Sequence, residues 1–393
     1  MEHLNKNMDK INKLNAFVSD YMNADLKNRK DIYEKYKKVI DTINPIDIFH
    51  LNIYSDNSST SNEIIKSTAN LFVNIFNHPL QEHSFKDHHH SFFKALMKEN
   101  EEIIKHLDSI KKFLKSGDLE SNRDKLLTEF IKCLDFEKKF IKKENILFPH
   151  LESKLVSRRP LKIMWMLHDD ARVLIKELIS LLKEQSFDEI SFKEKVGKYY
   201  FLIYGIITKE NLILYPVAAK LLDNTTLDIM LKESIQYGFS LFNYIYEESN
   251  DKNQEKFMDG NFKVLNGDLT FSQLNLMLNN LPIDITFVDE FNKVKYFNQT
   301  KNRHFPRSPS IIGRLVEYCH PPKSVDTVKK IIESFRSGEE DFAEFWIKFK
   351  ESLIYIQYFA VRDNSNQYRG VLEVSQDVTH IRNLKGEKRI LEW

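Results

Sequence analysis

Apolar residues recur at spacings of three and four through the first 235 residues of this 393-residue chain. Ile103, Leu107 and Ile110 are an example, and this spacing places apolar side chains on one face of an α-helix. Four longer segments of this kind lie between residues 84 and 222, which is enough for an antiparallel four-helix bundle. Residues 1–80 predict a smaller helical region before the bundle.

The spacing of apolar residues changes after a polar stretch at 247–255. This stretch has no apolar side chains to bury and is typical of a linker. Apolar and polar residues then alternate on both sides of 289–292, which predicts a β-hairpin. A helix follows over 324–335. Three further strands are predicted at 343–350, 353–362 and 368–376. This order predicts an α+β domain with a five-stranded antiparallel sheet and helices on one face.

These patterns divide the chain into five parts. They are a helical N-terminal region (1–80), a four-helix bundle (84–235), a linker (236–262), an α+β domain (263–385) and a tail (386–393).

Composition excludes several classes of protein. The 58 basic and 57 acidic residues leave a net charge of +1, so no global field attracts nucleic acid or anionic lipid. Two cysteines, Cys133 and Cys319, exclude a disulfide framework and fit a reducing compartment. The longest apolar run, 199–207, is far shorter than the roughly 20 residues of a membrane-spanning helix. We therefore expect a cytoplasmic protein that binds neither nucleic acid nor membranes.

One motif occurs twice. The segment KENILFP (143–149) recurs, with one extra residue, as KENLILYP (209–216), and each copy ends at a proline that stops or bends a helix. The repeat places Glu144 and Glu210 near the ends of two helices. Metal sites in helix bundles are built from such carboxylates on facing helices.

Together with Met164-Trp165 and HDDAR (168–172), this repeat resembles the hemerythrin-like HHE cation-binding domain. It resembles more narrowly the bacterial family called domain of unknown function 438. The segments LPIDITFVD (281–289), CHPPKS (319–324) and LEVSQD (372–377) resemble the PAS domain that follows the bundle in that family. The resemblance implies a multidomain protein: an all-α hemerythrin-like four-helix bundle with a helical N-terminal region, followed by an α+β PAS domain.

The resemblance also implies a set of metal ligands. Hemerythrin-like bundles hold two iron ions between four helices, and imidazole and carboxylate ligands suit non-haem iron. The candidates, in the order of the four helices, are His89 or His90, Glu144, His168 and Glu210.

Other roles for these side chains stay open. His89 and His90 belong to a polar run near a helix start, and His168 is followed by charged residues with which it could pair. Glu144 and Glu210 could instead form buried salt bridges with Lys139 or Arg172 that replace the metal.

The chain departs from the family pattern at two positions. That pattern has a histidine one to two helical turns before each repeated glutamate, and counting back from the prolines places Lys139 and Ile206 there. A protonated lysine cannot coordinate a metal. We therefore expect a depleted or mono-iron site, or a metal-free scaffold, rather than a full di-iron centre.

The PAS half has its own candidate ligands. Cys319 and His320 both carry side chains that can ligate haem iron, and Trp346 is among the residues predicted to face the interior. Haem or another PAS ligand is thus a possible cofactor. Alternatively, His320 forms a helix-entry or interdomain contact, and Trp346 fills the core.

Three functions are compatible with these features. The first is a sensory or regulatory protein that detects oxygen, nitric oxide, redox state or iron through the bundle, the PAS pocket or both. Such a protein would act on a protein partner or as a homodimer formed through the PAS domain. The second is a non-haem iron enzyme that handles peroxide or nitric oxide or donates iron. The third is a metal-free interaction scaffold. The absence of phosphate-loop, Ser-His-Asp and zinc-protease motifs favours a protein that is not an enzyme.

Overall fold

The computed structural model describes residues 2–52, 61–83, 90–115, 118–244, 261–264, 267–301 and 303–387. The chain divides into two compact units, Met1–Ile245 and Tyr246–Trp393. The first unit is helical and the second is α+β, so the predicted multidomain fold is confirmed.

The first unit contains twelve α-helices within the described residues. They are α1 (Glu2–Asn23), α2 (Arg29–Ile40), α3 (Asn62–Ile75), α4 (Asn77–Glu82), α5 (Ser91–Leu114), α6 (Arg123–Lys132), α7 (Glu137–Lys142), α8 (Phe148–Glu152), α9 (Arg159–Lys183), α10 (Glu189–Lys209), α11 (Tyr215–Leu221) and α12 (Asn224–Tyr237). The four predicted bundle segments correspond to α5, α6–α8, α9 and α10–α11.

The N-terminal helices have an aromatic core and also contact the bundle. The ring of Phe17 on α1 lies about 6 Å, centroid to centroid, from the rings of Phe72 on α3 and of Phe76, which directly follows α3. Lys66 on α3 pairs with Asp170 on α9. The N-terminal region is therefore part of the same compact unit as the bundle.

One continuous helical segment in the described part of the chain, Glu189–Leu221, which runs from α10 to α11, is long and apolar enough to span a membrane by length and composition. The helical unit buries 61% of its most apolar window. This burial is what the central helix of a folded bundle shows, because its apolar side chains face neighbouring helices.

The residues after α12 continue to pack on the bundle. The Ser240 N–H donates to Glu99 Oε1 (2.6 Å), and the Leu241 N–H donates to Asp135 Oδ2 (2.8 Å). The linker predicted at 236–262 therefore begins too early, because backbone groups as far as Leu241 have partners in the bundle.

The second unit contains a two-stranded hairpin and a five-stranded sheet. Its elements are β1 (Asn261–Val264), β2 (Gly267–Thr270), α13 (Phe271–Asn279), β3 (Asp284–Asp289), β4 (Val294–Phe297), α14 (Pro322–Ser337), β5 (Phe342–Phe349), β6 (Ser352–Arg362), β7 (Tyr368–Asp377) and α15 (Thr379–Arg382). The sheet order is β4-β3-β7-β6-β5 with every pair antiparallel. The predicted five-stranded sheet is present, whereas the β1–β2 hairpin and α13 were not predicted.

The β3–β4 turn shows why the predicted hairpin forms. Asp289 Oδ1 accepts hydrogen bonds from the N–H groups of Phe291 and Lys293, and Asn292 has a φ of +62°. Aspartate and asparagine favour such turns, because their side chains bond to nearby backbone groups and asparagine tolerates positive φ. The turn fixes the strand that carries Val288 into the apolar core below α14.

Candidate functional site

Both copies of the repeat form π-helical turns, at Lys143–Leu147 and Glu210–Leu214. Pro149 and Pro216 each lie two residues beyond the end of the π turn. A proline has no N–H and its ring crowds the carbonyl four residues earlier, so a regular α-helical ladder cannot continue through it. Those carbonyls lie inside the two π turns, and π turns often occur at functional sites. The repeated glutamates are therefore positioned by a local widening of the helix.

Glu210 is completely buried and all its near partners are donors. Lys139 Nζ lies 2.8 Å from its Oε2, and Lys143 Nζ contacts its Oε1. The Tyr215 hydroxyl donates to Oε2 at 3.1 Å. Burial alone would raise the pKa of Glu210, but the two ammonium groups outweigh this effect and lower the pKa to about 2. Glu210 is therefore an ionised carboxylate with both oxygens occupied.

Glu144 is bound by different groups. His168 Nδ1 donates to Glu144 Oε1 (2.8 Å), and Arg172 Nη2 donates to Glu144 Oε2 (2.8 Å). Arg172 also donates from Nε to Glu137 and from Nη1 to Asp169. The guanidinium thus connects three carboxylates at the surface end of this cluster.

His168 is fully buried, and its ring stacks on Phe140 with centroids 4.5 Å apart. Burial, reinforced by the positive charges of Lys143 and Arg172, lowers the pKa of His168 well below its ordinary value. The imidazole is therefore neutral. With Nδ1 donating to Glu144, its Nε2 carries a lone pair, and this atom has no hydrogen-bond partner in the described part of the chain.

A third buried pair closes the cluster on the side of α5. Lys142 Nζ lies 2.8 Å from Glu99 Oε1 and also donates to the Gly238 carbonyl (2.6 Å). Burial lowers the pKa of Lys142, and the charge of Glu99 opposes that shift.

The structure brings together some of the predicted ligands and separates others. Glu144 and His168 are hydrogen-bonded, and Glu210 lies in the same buried layer, within electrostatic range of His168. His90 lies at the start of α5, where Nδ1 accepts from the Phe92 N–H (3.2 Å) and Nε2 lies 3.2 Å from Asp228 Oδ1. It therefore serves as a helix N-cap. His89 lies outside the described residues.

These residues do not fit the two-iron site of hemerythrin-like bundles. Among the described residues, no group of three or more histidine, cysteine, aspartate or glutamate side chains is arranged to hold a metal ion. One helical turn before Glu144 and Glu210 lie Phe140 and Ile206, both buried and apolar. Lys139, the residue before Phe140, occupies the place where the family pattern has its first histidine, and it neutralises Glu210 instead.

Sequence reasoning missed Lys142, Lys143 and Glu99 as members of the cluster. A signal was present, because Lys139, Lys142 and Lys143 follow the i, i+3, i+4 spacing that puts side chains on one helix face. Three lysines on the buried face of a bundle helix require buried carboxylates as partners.

The PAS candidates occupy three different environments. Cys319 packs in the apolar core with Val316 and Phe335. His320 is partly buried, and burial together with the positive charges of Arg307 and Arg314 lowers its pKa to about 3.

The prediction that Trp346 faces the PAS interior is wrong, because its side chain is 66% exposed. It lies on edge strand β5, opposite Tyr355 of β6, and both side chains are on the sheet face away from the core. The alternation of β5 was recognised in the sequence, but the alternation alone does not say which set of side chains faces inward.

Comparisons with known proteins match the two halves separately. Residues 91–218 match the hemerythrin HHE cation binding domain, and residues 274–379 match a PAS domain. The chain therefore contains both domains, as predicted. The narrower assignment to the family of domain of unknown function 438 stays a prediction. No curated protein matches the chain.

Several solved structures match about a third of the chain or less. The C-terminal domain of a Streptococcus mutans protein is 39% identical over 32% of this chain and 98% of that chain, with a TM-score of 0.31. A PAS domain from Colwellia psychrerythraea is 17% identical over 28% and 97% of the two chains, with a TM-score of 0.23. A sensory box sensor histidine kinase from Vibrio cholerae is 17% identical over 27% and 89%, with a TM-score of 0.22.

We expect Glu210→Gln to destabilise the helical unit by about 3–5 kcal/mol, because two buried ammonium groups lose their counter-charge. Denaturant unfolding followed by far-UV circular dichroism measures this. Glu194→Gln, which removes one partner of an exposed pair with Lys198, serves as the control and should leave the midpoint unchanged. Replacing Lys139, Lys143 and Glu210 together by methionine should be less destabilising than Glu210→Gln. Equal stability of Glu210→Gln and the wild type would contradict the ion pairing.

Acid should weaken the fold through the same carboxylate. The pKa of Glu210 is about 2 in the folded chain, against an ordinary value of 4.5. Between these values the unfolded chain binds a proton that the folded chain excludes, so the free energy of unfolding falls as the pH is lowered through this range. Urea midpoints measured at about pH 6, 4 and 3 should fall less steeply in Glu210→Gln than in the wild type. Parallel curves would show that Glu210 is not responsible.

Proposed function

We propose that this protein, which joins a hemerythrin HHE cation-binding domain to a PAS domain, is a sensory protein whose PAS domain receives the signal and whose helical domain folds without iron. The observation that carries this proposal is that both carboxylate oxygens of Glu210 are bound by side-chain donors, which belong to Lys139, Lys143 and Tyr215. The combination of a hemerythrin-like domain with a PAS domain supports the sensory role.

The charges of the bundle argue against iron as the working ion. A metal that used Glu210 would have to displace two ammonium groups from the same carboxylate, and it would be repelled by both. The apolar side chains of Phe140 and Ile206 offer no replacement ligand. Sensing of oxygen, nitric oxide or iron by the bundle, and peroxide or nitric oxide chemistry, would all need that ion. We therefore place signal reception in the PAS domain.

A second candidate is a bundle that binds a single ferrous ion. It is favoured by one observation, the neutral His168 imidazole whose Nε2 has no hydrogen-bond partner within the described residues. That lone pair is a suitable ligand for ferrous iron. Neither Cys133 nor Cys319 forms a disulfide and both are buried, which fits the reducing, cytoplasmic compartment that we propose for either function.

Metal analysis separates the two candidates. We expect protein purified anaerobically from iron-replete cells to contain well below one iron per chain and to lack a haem absorption band. Its melting temperature should be the same with and without a chelator, because the proposed fold does not depend on a bound ion. About one iron per chain, lost in His168→Ala but kept in His106→Ala, would contradict the proposal. His106 is a suitable control because it lies on the same helical unit and bonds to the Glu129 carbonyl, outside the cluster.

A sensory domain also needs a route for its output, and we propose a second copy of this chain as the partner. β5 is the last strand of the sheet, and its outer backbone groups form no ladder within the described residues. Phe342, Phe345, Trp346 and Ile347 are all exposed along it. A long apolar edge strand of this kind pairs readily with another strand.

The sequence of β5 is complementary to itself in antiparallel orientation. A twofold axis at Trp346 would pair Glu344 with Lys348 of the second copy, and Phe345 with Ile347. Opposite charges placed across an antiparallel pair stabilise it, and like charges destabilise it. This register therefore favours a homodimer with a continuous sheet.

Charge reversal tests this register. Sedimentation equilibrium should show a dimer for the wild type, dissociation for Glu344→Lys because two lysines then face each other twice, and recovery of the dimer in Glu344→Lys/Lys348→Glu. Phe201→Lys, at an exposed apolar site on the helical unit, should leave the dimer intact. A wild-type monomer, or a double variant that stays dissociated, would rule out pairing in this register.

A further inference from the structure

The concave face of the PAS sheet carries buried polar residues beneath the segment that joins β4 to α14. Thr286 on β3 and Ser375 on β7 are buried, and Glu373 lies opposite Thr286 and Tyr358 in the strand register. The joining segment contributes Arg307 and Arg314 to the same region. This interior thus contains charged groups in addition to its apolar core.

Arg307 is the least satisfied of these groups. Its side chain is 9% exposed, and its Nε has no hydrogen-bond partner in the part of the chain that the structure describes. The nearest carboxylate oxygen, Glu373 Oε2, lies 3.9 Å from Nη2, well beyond the usual hydrogen-bond length of about 2.7–3.2 Å. Arg303, by contrast, donates to the Asn298 carbonyl (2.8 Å) and to Thr286 Oγ1 (2.9 Å).

The surroundings of Arg307 include a second arginine, a carboxylate and a histidine. Arg307 and Arg314 both act on His320, which their charge helps to keep neutral, and Glu373 is the acidic partner that Arg307 faces. Burial raises the pKa of Tyr358 on the opposite strand, and the negative charge of Glu373 adds to that shift. Tyr358 therefore stays protonated, and its hydroxyl can donate. Arg307 and Tyr358 thus both lie near the Glu373 carboxylate, and Arg307 also lies near the neutral His320 imidazole.

We infer that the PAS interior binds a small organic carboxylate through the guanidinium of Arg307. A planar guanidinium binds a carboxylate through two parallel N–H donors, and a desolvated site strengthens those bonds. Tyr358 also packs against the apolar cluster that contains Val316 and Phe335, so a short hydrocarbon body has apolar neighbours beside the charged group. This inference rests on the proposal that the PAS domain is the receiving domain.

Isothermal titration of the full chain tests the inference with acetate, butyrate, hexanoate and inorganic phosphate, each at constant ionic strength set with chloride. We expect saturable binding of at least one carboxylate. Arg307→Gln should weaken that binding at least about tenfold, because a two-point charge-assisted contact is lost. Arg369→Gln, which alters an exposed arginine paired with Asp363, should bind as the wild type does.

Glu373→Gln should change the affinity for the carboxylate in the opposite direction to Arg307→Gln. Removing the carboxylate that competes for Arg307 should tighten binding, whereas a purely structural role for Glu373 predicts weaker binding or none. This variant keeps the test decisive if Arg307→Gln fails to fold. Absence of saturable binding, binding of phosphate alone, or unchanged affinity in both variants would overturn the inference.

Failure of this inference and failure of the proposed function give different experimental results. Metal-free protein that binds no carboxylate would overturn this inference and leave the iron-independent bundle standing. Protein that contains iron but binds a carboxylate through Arg307 would overturn the iron-independent bundle and leave this inference standing.

Discussion

The buried carboxylate of Glu210 sets the main constraint on the helical domain. A charged group removed from water needs a compensating charge at short distance, and an unpaired one is too costly to retain. In a hemerythrin-like bundle a metal ion can supply that charge. Here the ammonium groups of Lys139 and Lys143 supply it, and the Tyr215 hydroxyl completes the shell. The bundle thus keeps the carboxylate of its repeat, and lysine side chains rather than a metal ion neutralise its charge.

The other copy of the repeat meets the same constraint differently. Glu144 bonds to His168 inside the bundle and to Arg172 towards the surface. Lys143 of the first copy crosses to Glu210, whereas Lys209, its counterpart, donates to Asn70 on α3 (2.6 Å). Two nearly identical sequences therefore have different partners. One copy connects two bundle helices, and the other also connects the bundle to the N-terminal region.

Four buried or partly buried cations differ in how closely a carboxylate approaches them. In the bundle, Lys139, Lys143 and Arg172 each lie within hydrogen-bond distance of a carboxylate. In the PAS interior, Arg307 lies 3.9 Å from Glu373 and retains an unsatisfied Nε. A compensated network stabilises one conformation, whereas an uncompensated donor gains free energy from a ligand. This difference is the physical reason why we propose Arg307, rather than the cations of the bundle cluster, as the group that receives a ligand.

The sequence by itself determined the order and type of the main elements. Helical and alternating periods each extend over many residues, and Asp289 and Asn292 specify their turn locally, so these features need no tertiary information. The repeat also identified Glu144 and Glu210 as the central carboxylates. Only the tertiary structure decided what neutralises them. Several lysines lie within one helical turn of each other, and the widened helix and the packing of facing helices select which ammonium reaches which carboxylate. The outward position of Trp346 was decided in the same way, because a strand has two faces and only its packing partners define the inner one.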